Sequence, residues 1–252
     1  LTPAVIRFAQ SRGYLDVPTA RKAHKAPVAL LGGVAVFASI ALGLLLVSIF
    51  VESVRAALVG HASLGALGLG AILMVALGTW DDLYDMRPMA KLAGQIAIAA
   101  LTWAMGFRVG AIELPFELLL TSAAPVSFLV TVGWIVIVSN AFNLIDGIDG
   151  LTAGVSVITA LTVFLLANQN GATVPVIAAL ALSGALAGFL RFNLPPARIF
   201  LGDAGALSIG YVTAVLAMAS YQKSPAAVAL IVPLLVLGLP LLDPILAVLR
   251  RG

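Results

Sequence analysis

Long apolar runs separated by short polar clusters dominate the chain. Windows free of charged residues cover 26–51, 56–80, 92–107, 118–145, 150–190, 204–222 and 224–242. A helix needs about 20 apolar residues to cross the hydrocarbon core of a bilayer. The third window is short for that purpose, and the fifth is long enough for two helices. Its break falls at Asn168, Gln169, Asn170 and Gly171, a polar turn closed by a glycine. The pattern predicts an all-α, polytopic membrane bundle of eight transmembrane helices in this chain. The runs are continuous rather than alternating, which excludes a membrane β-barrel. Lys91 and Arg108 bracket the short window and are expected to snorkel to opposite interfaces.

An even number of spans puts residues 1–25, Arg250 and Arg251 on the same side as the breaks at 81–91, 143–149 and 191–203. Eleven of the 14 Lys and Arg residues lie there, with Arg55, Arg108 and Lys223 as the exceptions. The positive-inside rule makes that side cytoplasmic. All eight aspartates fall on it, whereas Glu52, Glu113 and Glu117 fall on the other.

Composition agrees: 62% hydrophobic residues, 10% charged residues and a mean hydropathy of +1.12 exclude a soluble globular protein. The pI near 9.5 expresses this sidedness and not an affinity for nucleic acid. The absence of cysteine excludes disulfides, thiolate metal sites and thiol nucleophiles. The chain is expected to form one integral-membrane domain over 1–252, with active-site segments at about 21–33, 80–91, 140–150 and 191–205. Its first ten residues resemble the end of a truncated helix, and a last helix is expected to be truncated too.

Six aspartates stand in three breaks. Asp81, Asp82 and Asp85 follow an apolar helix, where the helix dipole disfavours negative charge. Asp81 and Asp85 share a face if the helix continues, and Lys91 could meet a phosphate held there. A solvated cap would account for one or two such acids, but not for three in five residues. The segment Asn140 to Gly150 carries Asn140, Asn143, Asp146 and Asp149 at intervals of three, with Gly147 and Gly150. Amide and carboxylate oxygens suit Mg²⁺, which keeps waters and is usually shared with substrate phosphates. Interhelical glue would explain Asn140 alone. Asp203, in the string Phe200 to Gly205, opens the next span, where a helix N-terminus favours both a carboxylate and a bound anion. It could also be a simple N-cap. Asn193, Arg191 and Arg198 could pair with nucleotide, phosphate or lipid headgroups. Arg21, Lys22, His24 and Lys25 precede Pro27 and the Gly32, Gly33 pair; a positive-inside flank explains the charges but not the histidine or the glycines.

In this order the strings resemble the polyprenyl-phosphate N-acetylhexosamine-1-phosphate transferases, the glycosyltransferase 4 superfamily of MraY, WecA and TagO. Asp85 and the stretch Lys25 to Val28 are closer to the WecA/TagO branch. The resemblance implies transfer of N-acetylhexosamine 1-phosphate, most simply N-acetylglucosamine 1-phosphate, from a UDP-sugar to undecaprenyl phosphate, with release of UMP. That reaction is a first membrane step of cell-envelope glycan synthesis, such as lipopolysaccharide or teichoic acid. It implies Mg²⁺, with Mn²⁺ as an alternative ion, contact with membrane lipids, and compatibility with a homodimer. By motif match, Asp203 and Asn143 are assigned to the metal and Asp81, Asp82, Lys91 and Asp146 to catalysis. His24, Lys25, Asn140, Asp149, Asn193 and Phe200 are assigned to substrate. A further cytoplasmic loop with a His-rich motif, which helps to recognise the sugar, is expected beyond Gly252.

Two other readings compete. A UbiA-like, Mg²⁺-dependent prenyltransferase also uses an Asp-Asp-x-x-Asp string, met here by Asp81, Asp82 and Asp85, but leaves Phe200 to Gly205 unexplained. A divalent-cation transporter would place its acids in mid-span along a path, whereas these lie at helix ends. A CDP-alcohol phosphotransferase would need Ala-Arg after its Asp-Gly, where this chain has Leu151 and Thr152.

Overall fold

A computed structural model describes residues 1–18, 26–108, 112–114, 118–120 and 124–221. Among them the chain is mostly helical. After α1 (Thr2–Arg12) and the short strands β1 (Leu15–Asp16) and β2 (Val28–Ala29) come α2 (Gly32–Phe50), α3 (Glu52–Gly60), α4 (Ala62–Tyr84) and α5 (Pro88–Ala104). The hairpin strands β3 (Ile112–Leu114) and β4 (Leu118–Leu120) lead to α6 (Ala124–Ile145), α7 (Leu151–Gln169), α8 (Thr173–Asn193) and α9 (Gly202–Tyr221).

Six of these helices, α2, α4, α6, α7, α8 and α9, are long and apolar enough to cross a membrane. With the 17-residue α5 they coincide with the first seven helices expected from the apolar windows. The eighth expected helix, at 224–242, lies outside the described residues, as do His24 and Lys25. The second window differs from expectation. The chain is extended at His61, so residues 52–60 form the separate helix α3 and the span begins at Ala62. The polar breaks are also shorter than the sequence pattern suggested, because α4 continues through Asp81 and Asp82 and α6 through Asn140 and Asn143.

Helix α9 is the axis of the bundle. Of its apolar window 78% is buried inside the protein, against 22% to 44% for the other candidate spans, so it is wrapped by helices and not by lipid. Small residues allow this. A Cβ at Gly78 of α4 would lie 2.5 Å from the Ala204 Cα, and a Cβ at Gly210 of α9 would lie 2.6 Å from the Ser139 Cα of α6. Only glycine permits backbones to approach so closely, the usual device where lipid supplies no hydrophobic force between helices. Tyr211 of α9 is fully buried, with its hydroxyl 2.9 Å from that of Thr102 on α5, which satisfies both polar groups inside the bundle.

The start of α9 is also fixed by the backbone. Ala29 of β2 bridges Ile199 in parallel and accepts the Phe200 N–H at 2.9 Å. Gly32 and Gly33 donate to the Phe200 and Leu201 carbonyls at 3.0 and 2.8 Å. A Cβ at Gly32 would fall 2.7 Å from the Phe189 ring, so the glycine pair is the close-approach surface on which the 199–201 segment lies.

Candidate active site

The acidic motifs meet at one end of the bundle, around the first turn of α9. Asp82, near the C-terminal end of α4, accepts the backbone N–H groups of Asp203 and Ala204 at 2.8 and 3.1 Å. The carboxylate thereby caps α9 from another helix, and the N-terminal dipole of α9 offsets a charge that the C-terminus of α4 disfavours. Gly202, with φ +70, leaves room for it: a Cβ there would sit 2.6 Å from Asp82 Oδ2.

Lys91, in the first turn of α5, joins the same cluster. Its Nζ lies 2.8 Å from Asp81 Oδ2 and pairs as well with Asp203 Oδ2. The side chain is only 14% exposed. The expectation that Lys91 snorkels to the interface is therefore corrected: two carboxylates turn it inward, while Arg108 at the other end of α5 stacks its guanidinium 4.4 Å from the Trp103 ring centroid. Asp81 uses its other oxygen to accept the Met86 N–H at 2.8 Å, which closes the turn after α4. Asp85 does not share a face with Asp81. The helix ends at Tyr84, and Asp85 adopts a left-handed φ of 52 as its C-cap, exposed at the mouth of the site.

Asp146 follows α6 and faces α9. Burial, reinforced by the charges of Asp203 and Asp82, pushes its carboxyl up to about 7. The nearby Gly202 N–H and Thr152 hydroxyl oppose the rise only in part, and the buried Thr152 Oγ1 makes no hydrogen bond of regular geometry to a described residue. Asn143 stands half-buried in the last turn of α6, one turn beyond Asn140.

Two further predicted residues, Asp149 and Asn193, tie loops to one another. Asp149 Oδ2 accepts the Ala197 N–H at 3.1 Å. Asn193 is 4% exposed; it accepts the Gly150 N–H at 3.1 Å and donates to the Ile199 carbonyl at 2.9 Å. It thus ties the loop carrying Asp146 to the segment leading into Asp203. The half-buried Phe200 lies in that segment. Asn140 donates to Gln95 on α5, a buried residue that the motif reading did not single out because a lone glutamine in an apolar helix carries no spacing signal.

Among the described residues four carboxylates, from Asp81, Asp82, Asp146 and Asp203, gather at this end of the bundle, and two of them, Asp81 and Asp203, pair with the Lys91 ammonium. Burial is the main cause of the raised Asp146 carboxyl, and the neighbouring Asp203 and Asp82 charges add to it. Among the described residues no three carboxylate or imidazole groups converge closely enough to chelate an ion by themselves. All-oxygen donors with an incomplete protein shell fit a hard divalent cation shared with substrate phosphates, and do not fit a closed structural site.

Comparison with known proteins agrees with this architecture. Residues 64–221, from α4 to the end of α9, match glycosyl transferase family 4. The chain belongs to glycosyl transferase family 4. It is similar, at 33% identity over its full length, to a protein of Bacillus subtilis named a probable undecaprenyl-phosphate N-acetylglucosaminyl 1-phosphate transferase, of which it covers 68%. A Mycobacterium tuberculosis decaprenyl-phosphate N-acetylglucosaminephosphotransferase is 32% identical over 98% of the chain and 66% of its own length. An Escherichia coli undecaprenyl-phosphate alpha-N-acetylglucosaminyl 1-phosphate transferase is 26% identical over 97% of the chain and 65% of its own length. The chain thus spans about two thirds of these family 4 relatives. The family match includes Phe200 to Gly205, the string left unexplained by the prenyltransferase reading.

Proposed function

We propose that this family 4 chain transfers N-acetylglucosamine 1-phosphate from UDP-N-acetylglucosamine to undecaprenyl phosphate, releasing UMP. The observation that carries the reading is the meeting of Asp81, Asp82, Lys91, Asp146 and Asp203 around the first turn of α9, in a chain whose relatives bear the names given above. An oxygen of the lipid phosphate attacks the sugar-bearing phosphorus. A new phosphoanhydride bond forms, the bond to the UMP phosphate breaks, and UMP leaves with that bridging oxygen.

Such a displacement demands in-line positioning and charge neutralisation more than a strong nucleophile. Lys91 brings its ammonium to phosphate oxygens from a place fixed by Asp81. Asp82 acts through the backbone, holding Asp203 and the α9 N-terminus in register. Asp146 can hold or release a proton near neutral pH. Asp203, Asp146 and Asn143 are the groups that would hold Mg²⁺, which when bound neutralises the diphosphate and the developing charge on the leaving UMP.

The same reading has eight spans, the last at 224–242, and sets the aspartate end on the cytoplasmic face of the inner membrane. The supports are the distribution of Lys and Arg and the substrate, since UDP-sugars are cytoplasmic. The product would enter envelope glycan synthesis, such as lipopolysaccharide or teichoic acid. Purified protein given UDP-N-acetylglucosamine and Mg²⁺ should release UMP only when undecaprenyl phosphate is added. Consumption of a prenyl diphosphate in its place would favour the prenyltransferase reading.

A further inference from the structure

A cavity of about 320 Å³ lies among α4, α5 and α6, lined by Asp81, Asp85, Lys91, Leu92, Gln95 and Asn140 together with the rest of the turn after α4. None of Asp146, Asp149 and Asp203 lines it. Its inner wall is polar at a depth where apolar residues are the rule. Gln95 stands four residues beyond Lys91, on the same face of α5, and is only 1% exposed.

The hydrogen bonds fix how the two amides are turned. Asn140 Nδ2 donates to the Val136 carbonyl at 2.8 Å and also to Gln95 Oε1. An amide side chain can donate to a carbonyl only through its NH2, so Asn140 must direct its nitrogen to Val136; Gln95 must then offer its oxygen to the second Asn140 hydrogen. Among the described residues this leaves two groups without a partner, the Gln95 Nε2 hydrogens and Asn140 Oδ1. Interhelical glue would use up both amides. Here the amide N–H of a residue only 1% exposed remains open beside a cavity that also carries the Lys91 ammonium, and intramembrane polar groups of this kind mark ligand paths.

We infer that Gln95 is a phosphate-binding residue: its Nε2 donates to a phosphate oxygen held by Lys91 in this cavity, while its Oε1 fixes Asn140. The inference rests on the proposed function, whose two substrates both carry phosphate, a monoester on the lipid and a diphosphate on the donor.

The test uses Gln95→Glu, which keeps an acceptor for Asn140 but puts a carboxylate oxygen where the free N–H stood. With thermal stability as in the parent, the KM of one phosphate substrate should rise about tenfold, the worth of one hydrogen bond to a charged group. A rise for undecaprenyl phosphate identifies the lipid monoester as the ligand; a rise for UDP-N-acetylglucosamine identifies the donor diphosphate. Both KM values within about twofold of the parent, well under one such bond, would overturn the assignment. If the variant does not fold, the parent protein labelled with ¹⁵N in its glutamine side chains is titrated with inorganic phosphate. The Gln95 amide can be assigned by replacing Gln10, Gln169 and Gln222. Its resonance should shift, and an unmoved resonance at saturating phosphate would overturn the assignment. This second measurement needs no turnover, so a parent protein that releases no UMP would count against the proposed reaction and leave the Gln95 site separately testable.

Discussion

Asp82 and Asp203 are joined through the backbone: the Asp82 carboxylate on α4 accepts the N–H of Asp203 and that of the following Ala204, and thereby caps the central helix of the bundle. Two of the three acidic motifs are thus one structural unit before any ligand arrives. Asp82→Ala should leave the N–H groups of half-buried Asp203 and fully buried Ala204 unpaired, at about 1–3 kcal/mol each. The melting temperature should fall and UMP release should drop by at least about a hundredfold. An unchanged melting temperature, with normal activity, would show that the cap is dispensable.

Lys91 holds Asp81 and Asp203 together as their shared counter-charge. Lys91→Met leaves those carboxylates facing each other, so two effects of opposite sign are expected. Turnover should fall by about a hundredfold or more, because the phosphate loses its ammonium, while the ion-free protein should bind Mn²⁺ more tightly. Weaker Mn²⁺ binding in the variant would mean that Lys91 organises the carboxylates instead of competing with the ion.

Asp146 gives a pH dependence whose sign is fixed. Its carboxyl is raised from 3.8 to about 7 in the folded protein. The folded state therefore binds more protons than the unfolded state, and its stabilisation is fully present below pH 3.8 and lost as pH rises through about 7. The melting temperature of ion-free protein should fall across that window. Mg²⁺ should flatten the fall by releasing the proton, and Asp146→Asn should abolish it. A melting temperature that rises with pH over the same range, and does so through Asp146, would contradict the burial of this group.

Gly78 tests the packing that sets the site. Gly78→Val should push α4 away from Ala204, against which even a Cβ would lie at 2.5 Å. Overpacking of this kind costs about 1–3 kcal/mol, and here it should also break the Asp82 cap. Loss of activity with full retention of Asp203 N–H protection in hydrogen exchange would separate the two effects and contradict that link.

Much of this was legible in the sequence. The apolar windows mark the helices because a span must satisfy every backbone group internally, and the ordered strings from Asp81 to Gly205 mark the acidic end. Three features were not legible. Helices α4 and α6 run into their polar strings, since hydropathy registers the loss of apolar character and not the end of hydrogen bonding. Lys91 faces inward because two carboxylates from α4 and α9 converge on it, a tertiary fact with no local signature. Asn193 and Asp149 also engage backbone, a role the motif spacing does not reveal, because the loops that carry Asp146 and Asp203 contain N–H and C=O groups that no helix satisfies.

The most direct measurement is the fate of the donor's sugar-bearing phosphate. Protein in detergent is given UDP-N-acetylglucosamine labelled at that phosphorus, Mg²⁺ and undecaprenyl phosphate, with Asp203→Asn run in parallel. The account predicts that the label moves into the lipid fraction with one UMP released per labelled lipid, and that Asp203→Asn transfers none at any Mg²⁺ concentration. Label remaining in the aqueous phase, or an Asp203→Asn protein that transfers normally at limiting Mg²⁺, would contradict it.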